Sequence, residues 1–400
     1  MAGPSPPNAQ SFDVVVIGAG LTGLAATLGF MRAGVSAACV GRPERPGPGR
    51  TVALFGPSLD FLESLGVLQA VEARGAPLRI LRIVDDTGSL FAPAPVEFRA
   101  AEIGRDAFGW NIENAILAPI LAGTLGEAAR FEADVVDFDF SGDAATLTTS
   151  DGRTLTAKLV VGADGRASPT RKAAGIDMSQ TRFGQTALTL IVRHSRPHGD
   201  ASTEFHTREG PFTLVPLPSA VDAPNRSSLV WLMRDDSARR RLGLEDAELA
   251  AEIRAQSRAI LGDVAIEGGR GRFPMAIQRV PQLTAPRVAL VGDAAHVFPP
   301  IGAQGLNLGL RDVKQIVAAV CRARAEGADI GGEAVLARYA TARAPDIAMR
   351  TLAVGALNLS LFAPYSPVDA IRGLGLAALN RLGPVRRAAM REGVNPFLAR

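Results

Sequence analysis

Three stretches, far apart in the chain, carry residue types that bind phosphates and polyols. They are Gly18-Ala-Gly20-Leu-Thr-Gly23, then Gly162-Ala-Asp164-Gly165, and then Gly292-Asp293-Ala-Ala-His296 running on through Pro300, Gly302, Gln304, Gly305, Leu306 and Asn307. Glycines let an extended ligand approach the backbone closely. A helix that starts among them aims unpaired N–H groups and its positive dipole end at whatever lies in front. An aspartate at the carboxyl end of a strand can accept a hydrogen bond from a ribose or ribityl hydroxyl. Any one of the three also reads as an ordinary strand-to-helix turn.

The flanking segments are those that would position such turns. Residues 13–17 form an apolar strand of the doubly buried kind, followed by a helix over 24–33 and a second strand over 36–40. This is the strand–turn–helix setting that the G-x-G-x-x-G fingerprint requires, and it predicts a bound ADP moiety. The acid expected at the end of the second strand is replaced by Gly41-Arg42. Arg42 has the wrong sign for ribose hydroxyls and suits a 2′-phosphate or the diphosphate, with Glu44 a substitute from the loop. Gly49-Arg50 precedes an amphipathic helix over 57–65, and 110–114 leads into a helix ending near 129. Val136 lies in a hairpin formed by 135–140 and 145–150. A strand from 156 reaches Asp164, with a short helix at 171–174. Residues 78–99 and 181–235 alternate apolar and polar, as antiparallel strands do, and a charged helix follows over 246–261. Residues 272–277 are expected to return the chain to the first domain, where 288–291 form a strand and a helix runs from about 306 past 320.

Composition narrows the function classes. Hydrophobic residues make up 47% of the 400, enough for a sizeable core, while aromatics at 5% leave few platforms for stacking bases. A net charge of +3 defines no nucleic-acid patch. Cys39 and Cys321 are expected as buried free thiols, which supports neither a disulfide framework nor a metal site. The first residues lack a secretory signal pattern, and the uncharged run 351–368 is broken by Pro364 and Pro367 as a membrane span. A soluble or at most peripheral cytoplasmic protein is expected.

Together the three turns resemble the FAD signatures of the class A flavoprotein aromatic hydroxylases, the para-hydroxybenzoate hydroxylase fold. Within that fold the chain is most similar to the ubiquinone-biosynthesis ring hydroxylases, through Gly49-Arg50-Thr-Val-Ala-Leu, the segment 111–114, Phe273-Pro-Met and Arg372-Gly-Leu-Gly-Leu. Where the family usually has Ala-Gly-Gln-Gly, this chain has Gly302-Ala303-Gln304-Gly305.

The resemblance implies an α/β fold. A Rossmann-like FAD-binding domain of the GR2 type would comprise 12–77, 100–180 and 270–345. A mainly antiparallel β-sheet substrate domain would be inserted at 78–99 and 181–269, with C-terminal helices over 346–400 and a disordered leader over 1–11. It further implies that FAD is held by Gly18, Gly20, Gly23, Arg42, Val136, Asp164, Gly165 and the third motif. In that reading Asp293 contacts the ribityl chain, Arg50 the pyrophosphate or flavin edge, and Glu113 or Asn114 the ribityl or ribose hydroxyls. NAD(P)H or another reductant and O2 would be co-substrates, with the ring oxygen delivered through a flavin C4a-hydroperoxide.

The implied substrate is a lipophilic phenol or quinol precursor, on an apolar floor made by Leu188, Leu190, Leu214, Leu217, Trp231 and Met233. Each of those residues reads equally well as part of an ordinary half-buried sheet face. Arginines 372, 381, 386, 387 and 391 among apolar stretches suggest contact with an anionic membrane or with other quinone-biosynthesis proteins, and a solvated helix surface is the plainer account. No proton-transfer residue can be named from sequence: His206 and His296 are candidates only as histidines, and His296 reads as structural. Alternatives are a hydroxylase of a small soluble aromatic acid, a flavin-dependent isoprenoid reductase and an FAD-binding scaffold.

Overall fold

The computed structural model describes residues 9–43, 47–88, 94–299, 304–362 and 382–394, of which 304, 353–362, 393 and 394 are described by backbone alone. From the amino terminus, β1 (Gln10–Ile17) leads through a glycine turn to α1 (Leu21–Arg32) and β2 (Ala37–Val40). Then come β3 (Thr51–Phe55), α2 (Gly56–Ser64), α3 (Leu68–Arg74), β4 (Ala76–Leu78), β5 (Ile80–Asp86) and β6 (Val96–Arg99). β7 (Gly109–Glu113) enters α4 (Asn114–Leu125), and β8 (Arg130–Phe131), β9 (Val135–Asp139), β10 (Ala145–Thr149) and β11 (Thr154–Gly162) lead to α5 (Pro169–Ala173). β12 (Ser179–His194), β13 (Ala201–Thr207), β14 (Gly210–Leu217) and β15 (Arg226–Arg234) precede α6 (Asp235–Leu242), α7 (Asp246–Gln256) and β16 (Val264–Arg279). The remainder is β17 (Thr284–Ala285), β18 (Val288–Leu290), β19 (His296–Val297), α8 (Gln304–Ala325), α9 (Glu333–Phe362) and α10 (Gly383–Val394).

The fold is α/β. One sheet runs β17-β18-β11-β1-β2-β8, with the β9–β10 hairpin attached to β11; β18, β11, β1 and β2 are parallel. The apolar run of β1 is buried on both faces, as its composition requires. Val14 and Val16 pack into the cluster containing α1 and α8, while Val15 and Ile17 face the β9–β10 side. Gln10 and Ser11 already pair with Leu155 and Thr156, so the strand begins inside the segment expected to be a disordered leader.

The second sheet has the order β19-β16-β12-β15-β14-β13-β5-β6 and is antiparallel except where β13 meets β5. Residues 272–277 do not leave it. They belong to β16, which continues through Arg279 alongside β12, because the apolar–polar alternation runs unbroken across that stretch. A small sheet, β3-β7-β4, joins the two bodies: Asn111 Nδ2 donates to Pro216 O at 2.8 Å and Thr51 Oγ1 to Ser228 Oγ at 2.9 Å. Cys39 is buried as expected, whereas Cys321 is only half-buried, and both are free. Among the described residues no helix is long and apolar enough to cross a membrane, and no cluster of His, Cys, Asp and Glu could hold a metal.

Candidate cofactor and substrate site

Strand order brings the three motifs together. β18, β11 and β1 are adjacent and parallel, so the turns after them emerge side by side at one edge of the sheet. Ala163 N donates to Ile17 O at 2.7 Å and Val291 N to Gly162 O at 3.0 Å, fixing each turn to its neighbour. Gly18 has φ +114°, and a Cβ there would lie 2.4 Å from Ala163 O. A Cβ on Gly23 would meet Gly18 O at 1.8 Å. Gly20 caps α1 in extended conformation with no side chain in the way, leaving the first amides of α1 without intrahelical partners. Thr22, on the same turn, packs between Gly292 and Gly309 and so ties α1 to the third motif and to α8.

In the second motif Asp164 acts within its own turn. Its carboxylate accepts from Ser168 Oγ and, at 2.8 Å, from Thr170 N, while Ser168 Oγ accepts from Arg171 N at 2.9 Å. Gly165 has φ +78° and open space beyond its Cα. Asp293, in the third motif, is half-buried with its Oδ2 3.5 Å from Arg166 Nε. Arg42 pairs at the surface with Asp134 at 3.1 Å, and Val136 is 61% exposed on β9. Pro300, Gly302 and Glu44 lie outside the described residues, as does the side chain of Gln304, which opens α8. Gly305 and Leu306 are half-buried in its first turn. Asn307 bolts that turn to β3, accepting from Phe55 N at 3.2 Å and donating to Ala53 O at 2.7 Å.

The segment around β3 and β7 completes the enclosure. Gly49 has φ +67° and sits so close to β12 that a Cβ would be 2.6 Å from Leu190 Cα. Arg50 places its guanidinium 5.6 Å from the Phe273 ring centre, and its carbonyl accepts from Asn114 N at 3.0 Å. Glu113 meets Arg226 at 3.0 Å, and Arg226 is also bound to Glu267 on β16 at 2.6 Å, so Glu113 ties the two sheets together. Asn114 Oδ1 is buried with no hydrogen-bond partner. Such an atom is costly unless a ligand supplies a donor. This orphan acceptor and the free amides of α1 behind the Gly20 cap fit a dinucleotide cofactor with a polyol.

Behind the third motif lies a buried ionic network absent from the sequence expectations. Asp312 Oδ2 accepts from Gly292 N at 2.9 Å and pairs with His296 Nε2 at 2.6 Å, while Oδ1 meets Arg343 Nε at 2.6 Å. Arg343 continues to Asp346 at 2.9 Å, which also holds Arg311 and Arg350. Burial pushes the Asp312 carboxyl up, but the facing charges of His296 and Arg343, with the His296 and Gly292 hydrogen bonds, outweigh it and bring it to about 2. His296 is therefore a structural partner of Asp312. The available signal was a set of charged residues interrupting otherwise apolar helices.

The second sheet presents its faces the other way round from the expected floor. Leu188, Leu190, Leu214, Trp231 and Met233 pack with Ala238, Leu249 and Ile253 of α6 and α7. Leu217 is out of step with Leu214 by an odd number and belongs to the opposite face. That opposite face carries Ala187, Leu232 and Met275 with Phe183, Val230 and Phe273. It continues into Ile277, Phe298, Leu308 and Ile347, where the sheet meets the start of α8. The apolar surface turned toward the cofactor lobe is this one.

Comparison with known proteins agrees with the geometry. The FAD binding domain family matches residues 11–352. The chain is 34% identical over 396 residues to ubiquinone hydroxylase UbiL of Rhodospirillum rubrum, covering 96% of this chain and 89% of the relative. It is 30% identical to 3-demethoxyubiquinol 3-hydroxylase of Escherichia coli, over 96% and 98% of the two chains. The crystal structure of p-nitrophenol 4-monooxygenase PnpA from Pseudomonas putida superposes with a TM-score of 0.77 at 19% identity, covering 96% of this chain and 99% of that one, and shares the fold. The chain belongs to the FAD-binding domain family and is a flavoprotein, as its three turns implied.

Proposed function

We propose that this flavoprotein is a monooxygenase that hydroxylates the aromatic ring of a polyprenylated phenol or quinol precursor of ubiquinone. The observation that carries the reading is end-to-end similarity, at 34% and 30% identity, to two proteins named for hydroxylation in that chemistry. FAD, when bound, supplies the redox chemistry: electrons from NAD(P)H or another donor reduce O2, with one oxygen atom entering the ring and the other leaving as water.

The chain's own residues bind, orient and exclude water. In this reading Gly18, Gly20, Gly23 and the α1 amides hold the pyrophosphate, with Arg42 and Val136 on the adenosine side. Asp293 and Asn114 take polyol hydroxyls, and Arg50 takes the pyrophosphate or the flavin edge. Asp164, Gly165 and Arg171 hold the second turn in shape. Gly305 and Leu306 stand in the first turn of α8, whose positive end would face the ring system, where negative charge develops on reduction. The face formed by Ala187, Val230, Leu232 and Met275 keeps water from the reacting ring and gives a prenyl chain apolar contact.

The reading extends to a cytoplasmic protein in peripheral contact with the membrane's inner face and with other quinone-biosynthesis proteins. Met349 and Leu352 stand 55% and 72% exposed on α9, and Leu382 and Val385 are exposed beside Arg387. A lipophilic substrate held in a bilayer is reached through such a contact. The test is oxygen uptake by the FAD-loaded protein with a detergent-solubilised 2-prenylphenol and a reductant. Expected is phenol-dependent uptake with a product one oxygen atom heavier. Uptake with soluble hydroxybenzoates instead, or none coupled to any phenol, refutes it.

A further inference from the structure

We propose that His206 hydrogen-bonds the ring hydroxyl of the phenolic substrate and takes its proton, with Glu204 holding the imidazole. The assignment rests on the hydroxylase reading above and names a residue for a step that reading leaves without one.

Strand parity places the pair. Phe205 packs edge-to-face on Phe212, and Phe212 on Trp231, in the cluster beneath α6 and α7. Its neighbours Glu204 and His206 therefore project to the other face, the one turned toward the cofactor lobe. His206 is in register with Pro211; beside them, Gly210 abuts the backbone of Leu232, which pairs with Ala187, and Ala187 pairs with Phe273. One cross-strand row thus joins the histidine to the apolar floor. A ring at the histidine end leaves the rest of the row to a prenyl chain.

The local chemistry fits a base. His206 is 7% exposed, its Nε2 lies 2.8 Å from Glu204 Oε1, and Glu204 Oε2 accepts from Thr213 Oγ1 at 3.3 Å. A carboxylate can only accept, so the imidazole proton sits on Nε2 and Nδ1 keeps its lone pair. Nδ1 is buried and has no hydrogen-bond partner. An unpaired buried acceptor is costly in a merely structural histidine and is satisfied by a phenolic O–H. On transfer the O–H bond breaks and an N–H bond forms at Nδ1. The imidazolium then faces Glu204, and the ring carries the electron density that accepts an electrophilic oxygen. The other charged groups nearby are committed elsewhere. Asp85, the β5 register partner, is bonded to Thr87; Arg208 donates to Thr87 O; Glu209 pairs with Arg241.

The test uses FAD-loaded wild type, His206→Gln and Glu204→Gln with a detergent-solubilised 2-prenylphenol. Ionisation of the bound phenol is followed by near-ultraviolet difference spectra against pH without reductant, and hydroxylation is measured in parallel. In wild type the bound phenol is expected to ionise well below its free value of about 10, while in His206→Gln it stays neutral to about pH 9. Hydroxylation is expected to fall about 100-fold in His206→Gln and about 10-fold in Glu204→Gln, with FAD content unchanged. His206→Gln that ionises and hydroxylates the phenol as wild type does overturns the assignment alone. Should that variant fail to fold, wild-type-bound phenol ionising only at its free value overturns it equally. Wild type that neither binds nor hydroxylates the phenol removes the functional reading and this assignment together.

Discussion

Arg171 Nη1 donates to the carbonyl oxygen of Ala294 at 3.0 Å, joining the second motif to the third through a side chain that is only 5% exposed. Its Nη2 holds Arg166 O, also at 3.0 Å. Burial pulls the guanidinium below the usual arginine range, with Asp164 opposing that pull. One side chain thus sets the spacing of the second and third turns. Replacing it by methionine keeps the bulk and leaves two carbonyls unpaired. Arg171→Met is expected to destabilise the fold by about 3 kcal/mol and to weaken FAD retention. Thermal unfolding together with FAD titration of the apoprotein checks both.

The glycines of the first two motifs separate steric need from conformational need. Gly18→Ala would set a Cβ 2.4 Å from Ala163 O in a backbone with φ +114°, so the strand ends must part. We expect that variant to be purified without flavin. Gly165→Ala meets nothing within 4 Å and suffers only its φ of +78°, a cost of about 1–2 kcal/mol. It should still bind FAD. Absorbance of the two purified proteins at the flavin band distinguishes the outcomes.

The motifs were legible because each couples an apolar strand to glycine and acid at a fixed offset, a local pattern. Their convergence follows from parallel pairing of β1, β11 and β18, which the doubly apolar strands announce. The substrate floor is not legible in the sequence for a physical reason. Every residue from Gln185 to Val192 is buried, so alternation separates two faces without saying which one meets α6 and α7 and which the cofactor lobe. The charged residues of the Asp312 network stand out in the helices, but their pairing does not, because Arg343 lies on another helix 31 residues on and one sequence carries no record of that contact.

That network gives a pH prediction. The Asp312 carboxyl is depressed in the folded chain to about 2 from an ordinary 3.8, so its stabilisation is complete above about pH 4 and is lost as pH falls toward 2. Asp312→Asn removes the charge that His296 and Arg343 face and is expected to cost about 3–5 kcal/mol at neutral pH. Its stability should also fall less steeply than wild type between about pH 4 and pH 2. Urea unfolding across that range measures the difference, and parallel curves for the two proteins would count against the network's part in acid stability.

Two exposed apolar residues of α9 bear on how a lipophilic substrate reaches a buried face. Met349 and Leu352, three residues apart, lie on one side of the helix at 55% and 72% exposure. Ile347 of the same helix packs beside Phe183 and Ile277, at the edge of the apolar floor. α9 therefore carries exposed apolar side chains within two turns of the floor's edge. If that surface dips into a bilayer, aspartates there carry a large transfer cost while leaving the FAD turns untouched. The full-length Met349→Asp/Leu352→Asp double variant is expected to keep its flavin but to pellet several-fold less with anionic vesicles than wild type. Its turnover of a soluble short-chain phenol should stay near wild type while that of a long-chain prenylphenol in vesicles falls. Equal pelleting of the two proteins would overturn membrane contact through Met349 and Leu352.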